Sequence, residues 1–122
     1  MKKKILLIDN VDLVIQVIHM YLSESYDIVY FKRYLDGIKW LEKGYIPDLI
    51  LTDINLPDMK GDDFLFYIKN NELFEFIPIV ILSEEDNTTK RINLLEGGIE
   101  DYITKPFNPI ELKIRINKIL LK

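Results

Sequence analysis

Asp48-Leu49-Ile50-Leu51-Thr52-Asp53-Ile54-Asn55-Leu56-Pro57-Asp58-Met59-Lys60-Gly61 starts as an apolar run and breaks at a carboxylate, Asp53. An unbroken apolar run of this length is the composition of a strand buried on both faces of a parallel sheet. Pro57 and Gly61 then mark a turn and loop. Ligands of open parallel sheets bind just beyond the carboxyl ends of the strands. Asp53 therefore stands where chemistry is done in such a sheet.

The same motif recurs on either side. Ile5–Ile8 is an apolar run ending at Asp9-Asn10, and Ile77–Leu82 ends at Ser83, with Pro78 tolerable only near its start. Ile28–Phe31 reads as an edge strand beside Lys32 and Arg33, and Asp101–Thr104 as a short fifth strand ending at Lys105. Between the strands lie helical spacings. Val11 to Ser23 carries Leu13, Val14, Val17, Ile18, Tyr21 and Leu22 as an apolar stripe. Leu35 to Lys43 turns Leu35, Ile38 and Leu41 inward and stops at Gly44 and Pro47. Asp62 to Asn70 repeats the spacing with Phe64, Leu65 and Ile68. Asn87 caps a helix through Ile92 and Leu95 that ends at Gly97-Gly98, and Pro109 opens a last helix carrying Ile110, Leu112, Ile116, Ile119 and Leu120.

Five strand–helix alternations with short connections specify an α/β fold: a five-stranded parallel sheet flanked by five helices, with right-handed crossovers. The length of 122 residues suits one domain, 1–122, and no repeat, linker or low-complexity segment interrupts it. A net charge of −4 gives no electrostatic reason to expect direct nucleic-acid binding. The absence of cysteine excludes disulfides, thiolate metal sites and thiol catalysis. Lys2-Lys3-Lys4 before Ile5–Ile8 superficially resembles a signal peptide, but the run is too short and Asp9 cuts it. No run reaches membrane-spanning length, so no membrane association is expected and a cytoplasmic location is.

Asp9, Asn10, Asp53, Asn55, Ser83 and Lys105 all follow strands, and the fold would gather them at one end of the sheet. Two carboxylates with amide or backbone oxygens suit a hard divalent cation, Mg²⁺ above all. A lysine and a hydroxyl opposite them suit phosphoryl oxygens.

With these segments in order, the chain resembles the receiver domain of two-component response regulators. The resemblance rests on Ile5–Asn10, Asp48–Gly61, Pro78–Ser83 and Asp101-Tyr102-Ile103-Thr104-Lys105-Pro106-Phe107. It implies a flavodoxin-like sheet of strand order 2-1-3-4-5 and a cis peptide at Lys105-Pro106. It also implies that Asp53 accepts a phosphoryl group from a phosphohistidine on a sensor histidine kinase or a histidine phosphotransfer protein. Asp9, Asp53 and the backbone carbonyl of Asn55 would hold Mg²⁺, and Lys105 would pair with Asp53 and then with the phosphoryl group. Ser83 would move to hydrogen-bond that group, and Tyr102, a half-buried aromatic on an edge strand, would turn inward after it. The surface of the fourth helix, fifth strand and fifth helix would then meet a partner or a second copy of the chain. Such a domain is not an enzyme beyond self-dephosphorylation of its acyl phosphate.

Two residues depart from the family pattern. The second acid after the first strand, commonly a direct metal ligand, is Asn10 here; its amide oxygen can still coordinate the metal, but the site loses one negative charge, which weakens Mg²⁺ binding by roughly 10–100-fold. Glu84 follows Ser83 where the family prefers a small residue; it either narrows and repels phosphoryl access or swings into solvent. These departures keep open an alternative, a phosphorylation-independent pseudo-receiver acting as an interaction module. A phosphatase or nucleotide-binding enzyme ranks last, because Asp9-Asn10-Val11-Asp12 lacks phosphate-cradling glycines.

Overall fold

The computed structural model describes residues 1–121. The elements are β1 (Lys3–Ile8), α1 (Asp12–Leu22), β2 (Tyr26–Phe31), α2 (Tyr34–Glu42), β3 (Leu49–Asp53), α3 (Gly61–Lys69), β4 (Ile79–Ser83), α4 (Thr88–Glu96), β5 (Asp101–Thr104) and α5 (Pro109–Leu120). All strand pairs are parallel and the sheet order is β2-β1-β3-β4-β5, as the resemblance implied. Every residue of β3 and β4 is buried, which is why these strands read as continuous apolar runs.

Strand parity sorts the core into two halves. Leu6, Ile8, Ile50, Ile79 and Ile81 face one side with Tyr34, Leu41, Phe64 and Ile68 from α2 and α3. Ile5, Leu7, Leu49, Leu51, Val80 and Leu82 face the other, against Ile15, Ile18 and Leu22 of α1 and Leu112, Ile116 and Leu120 of α5. Asp9, Asp53 and Lys105 continue the parity of Leu7, Leu51 and Ile103, so all three belong to the α1/α5 side of the sheet's carboxyl edge.

Element types match the sequence reading, but three helix faces differ. On α1 the buried residues are Ile15, Ile18 and Leu22, while Leu13 and Tyr21 are exposed; a helix apolar around most of its circumference has no unique stripe. On α2 the inward residues are Tyr34, Gly37 and Leu41, and Leu35 is exposed. A glycine sits in that stripe because a Cβ at position 37 would come within 2.8 Å of Ile8 Cδ1, and hydrophobic periodicity does not register a glycine. On α4 nothing is buried, with Ile92 and Leu95 exposed and only Leu94 partly packed on the core. Strand β2 begins at Tyr26, and β4 begins after Pro78, whose carbonyl accepts from Ile50 N at 2.9 Å.

The caps follow the sequence signals. The Asn87 side chain accepts from Lys90 N at 3.0 Å, and Asn108 does the same for Ile110 N and Glu111 N ahead of Pro109. Gly98, with φ of 102°, turns the chain out of α4 toward β5. No helix among the described residues is long and apolar enough to cross a membrane.

Candidate functional site

Asp9 and Lys105 extend the ladder one residue beyond their strands. The Asp9 amide donates to Phe31 O at 3.1 Å and the Lys105 amide to Ser83 O at 2.8 Å. Asp53 closes β3 opposite Leu82, between them. The peptide after the lysine, Lys105–Pro106, is cis.

There Lys105 Nζ donates to Asp9 Oδ2 and Asp53 Oδ2, each at 2.7 Å. The remaining oxygens are also held: Val11 N donates to Asp9 Oδ1 at 2.9 Å, and Asn55 N to Asp53 Oδ1 at 2.6 Å. Asp9 is fully buried, and the side chains of Asp53 and Lys105 are 12% and 6% exposed. Burial works to lower the Lys105 ammonium, but hydrogen bonds and charge from Asp53 and Asp9 outweigh it and hold the group above its ordinary value. Lysine therefore stays a cation between two acids in a largely buried site.

The donor set fits a hard divalent cation. Two carboxylates converge on one point, and each oxygen keeps lone-pair capacity beyond the hydrogen bond it accepts. Among the described residues no third acid or histidine joins them, so a bound ion would complete its shell with a backbone carbonyl and water, as Mg²⁺ tolerates. Asn10 is exposed, and its side chain has no hydrogen-bond partner among the described residues; it flanks the triad without being tied to it.

Ser83 is fully buried at the end of β4, on the opposite strand parity, and its hydroxyl makes no hydrogen bond to the triad side chains. Its Oγ accepts from Glu85 N at 3.0 Å and, at the 3.5 Å limit, from Asn55 Nδ2. Asn55 Nδ2 also reaches Glu85 Oε2 at 3.4 Å, and Lys90 of α4 pairs with the same carboxylate at 3.1 Å. Lys90 first and Asn55 second hold the Glu85 carboxyl below its usual range. The loop after β3 is thus wired to the start of α4 through Ser83 and Glu85. Glu84 swings outward: it is exposed, without a polar partner among the described residues, and rims a groove with Val11, Lys105 and Phe107.

Tyr102 departs from expectation. It is only 6% exposed, its ring lies in the core cluster with Ile81 and Ile99, and its hydroxyl donates to Glu85 O at 2.7 Å. The inward position is already occupied, because even on an edge strand this face is covered.

Sequence reading missed Tyr34 and Asp58. The Tyr34 hydroxyl donates to Asp53 O at 2.7 Å, and both Asp58 oxygens cap the start of α2 by accepting from Tyr34 N and Leu35 N at 3.2 and 3.0 Å. An aromatic at a helix start carries no signal of such reach; Asp58 showed itself only as a loop acid.

A family model for the response regulator receiver domain matches residues 5–117. The chain belongs to that family. The alkaline phosphatase synthesis transcriptional regulatory protein PhoP of Bacillus subtilis is 33% identical over 123 residues, covering 98% of this receiver domain and 49% of PhoP. Hybrid signal transduction histidine kinase D of Dictyostelium discoideum is 37% identical over 101 residues, 81% of this chain and 6% of that one. This chain thus spans about half or less of the length of these curated relatives. Among solved receiver structures, the phosphorylated cyanobacterial phytochrome response regulator RcpA matches with a TM-score of 0.85 at 28% identity, over 100% of this chain and 96% of its own. The Mn(2+)-bound form of response regulator Rcp1 matches with a TM-score of 0.79 at 28% identity, over 97% and 89%.

Proposed function

We propose that this receiver domain takes a phosphoryl group onto Asp53 from a phosphohistidine of a sensor histidine kinase or phosphotransfer protein. The observation that carries the reading is one ammonium, Lys105 Nζ, 2.7 Å from both Asp9 and Asp53 at the sheet's carboxyl edge. Kinship with a hybrid histidine kinase and likeness to a phosphorylated regulator support the donor class.

An Asp53 carboxylate oxygen attacks phosphorus. The P–N bond to the imidazole breaks, the nitrogen keeps the electron pair and gains a proton, and an acyl phosphate forms. Lys105 holds the Asp53 carboxylate in place beforehand and then meets the phosphoryl oxygens, offsetting charge where it develops. Asp9, Asp53 and the Asn55 carbonyl would hold Mg²⁺, which when bound neutralises phosphoryl charge. Ser83, one strand away, would turn toward the added oxygens. Its present partner Glu85 N, with Glu85 O held by Tyr102, passes that movement to α4, β5 and α5. The exposed Ile92 and Leu95 of α4 support that surface as one that meets a partner or a second copy.

Incubation with a small phosphoramidate and Mg²⁺, read by intact mass, tests the reading. It expects one added phosphoryl group, absent in Asp53→Asn. No addition to the wild type overturns it in favour of a phosphorylation-independent interaction module, and addition that survives Asp53→Asn overturns Asp53 as the acceptor.

A further inference from the structure

We propose that the Tyr34 hydroxyl is a positioning group for the site, a pin through the turn that carries Asp53 and Asn55. The inference rests on the reading of Asp53 as a phosphoacceptor served by a divalent cation. Tyr34 is fully buried at the first position of α2, with its ring stacked on Phe64 at 4.8 Å between centroids and 21° between planes. From that fixed ring the hydroxyl donates to Asp53 O at 2.7 Å and lies 3.4 Å from Leu56 N as its acceptor. One oxygen therefore holds the residue that opens the turn and a residue three places on. Between them lies Asn55, whose amide already holds Asp53 Oδ1 at 2.6 Å.

The geometry has three consequences. The orientation of the Asp53 carboxylate toward Lys105 and that of the Asn55 carbonyl are set by the same short turn, so what fixes the turn fixes both. The pin is neutral, and it adds a hydrogen bond without disturbing the balance of two acids and one lysine. Its root is also clamped from the loop side, since Asp58 caps Tyr34 N and Leu35 N. Burial raises the Tyr34 phenol well above its ordinary range. Thr52 Oγ1 donates to the same Asp53 carbonyl at 2.8 Å, so losing the phenol loosens the turn without releasing it.

The test compares Tyr34→Phe, which removes only the hydroxyl, with Phe64→Leu, which removes the stack and leaves the hydroxyl. Mg²⁺ affinity is measured calorimetrically, amide exchange at Asn55 and Leu56 by NMR, and phosphoryl uptake by intact mass. Tyr34→Phe is expected to weaken Mg²⁺ binding roughly three- to tenfold, the effect of one net hydrogen bond, with faster exchange at both amides. Phe64→Leu is expected to lower the thermal midpoint at least as much while holding Mg²⁺ affinity within about twofold. Unchanged Mg²⁺ affinity in Tyr34→Phe, or an equal loss in Phe64→Leu, overturns the inference while the phosphoacceptor reading stands. A wild type that neither binds Mg²⁺ nor takes up phosphoryl removes both.

Discussion

Lys105 joins two buried acids across the sheet, and its removal leaves Asp9 and Asp53 facing each other with no cation between them. Breaking a buried pair by deleting one partner costs about 3–5 kcal/mol, so we predict a loss of that size for Lys105→Met by urea unfolding near neutral pH. The pH dependence has a definite sign. The folded-state ammonium is held above its ordinary value, so its contribution is complete below the unfolded-state value of about 10.4 and is lost as pH rises through the raised value. The gap between wild type and Lys105→Met should therefore close on the alkaline side. A gap that is constant to high pH, or absent at neutral pH, contradicts the pairing. Asn10 gives a second prediction: restoring a carboxylate there in Asn10→Asp should tighten Mg²⁺ binding at least roughly tenfold by calorimetry, and equal affinities would refute it. Asp9 and Asp53 were legible as residues because each is polar at the end of an apolar run, and Lys105 because it ends a short strand ahead of Pro106-Phe107. Tyr34 was not, since its function depends on where a phenol ends in space, and no periodicity encodes that.

The β3–α3 connection shows what an element boundary requires. A Cβ at Gly61 would lie 2.0 Å from Ile54 O and 2.5 Å from Ile54 Cγ1, so α3 can start this close to β3 only with glycine in its first position. We predict that Gly61→Ala lowers stability by about 1–3 kcal/mol or more in urea unfolding, and slows phosphoryl uptake, because the helix must retreat from the loop that carries Asn55. A cost under roughly 0.5 kcal/mol would show that the contact relaxes freely. Elements were legible in the sequence wherever a strand is buried on both faces, as in β3 and β4. Helix faces were less so: α1 is apolar nearly all round, α2 hides a glycine in its inward stripe, and α4 buries nothing. Those misread faces share one cause, since a hydrophobic pattern records composition around a helix and not what the sheet presents to it.

In the whole molecule the site and the outer surface are joined by few links. The triad sits on one strand parity, Ser83 and Tyr102 on the other, and the Glu85 backbone joins Ser83 to Tyr102, its N donating to Ser83 Oγ and its O accepting from the Tyr102 hydroxyl. Helix α4 contributes no buried residue, so under the proposed function it is the element such a connection would shift. The five-stranded order and the place of the site within it could be inferred from the alternation of elements together with the family motifs. The inward position of Tyr102 could not, because burial on an edge strand depends on what packs over that face, here Ile81, Ile99 and the Glu85 carbonyl. Borohydride reduction after phosphoramidate and Mg²⁺ treatment, followed by peptide sequencing in a mass spectrometer, tests the central claim most directly. An acyl phosphate on Asp53 is reduced to homoserine, so homoserine at position 53 alone is the expected result. Homoserine at another acidic position, or no reduction product at all, would contradict the account.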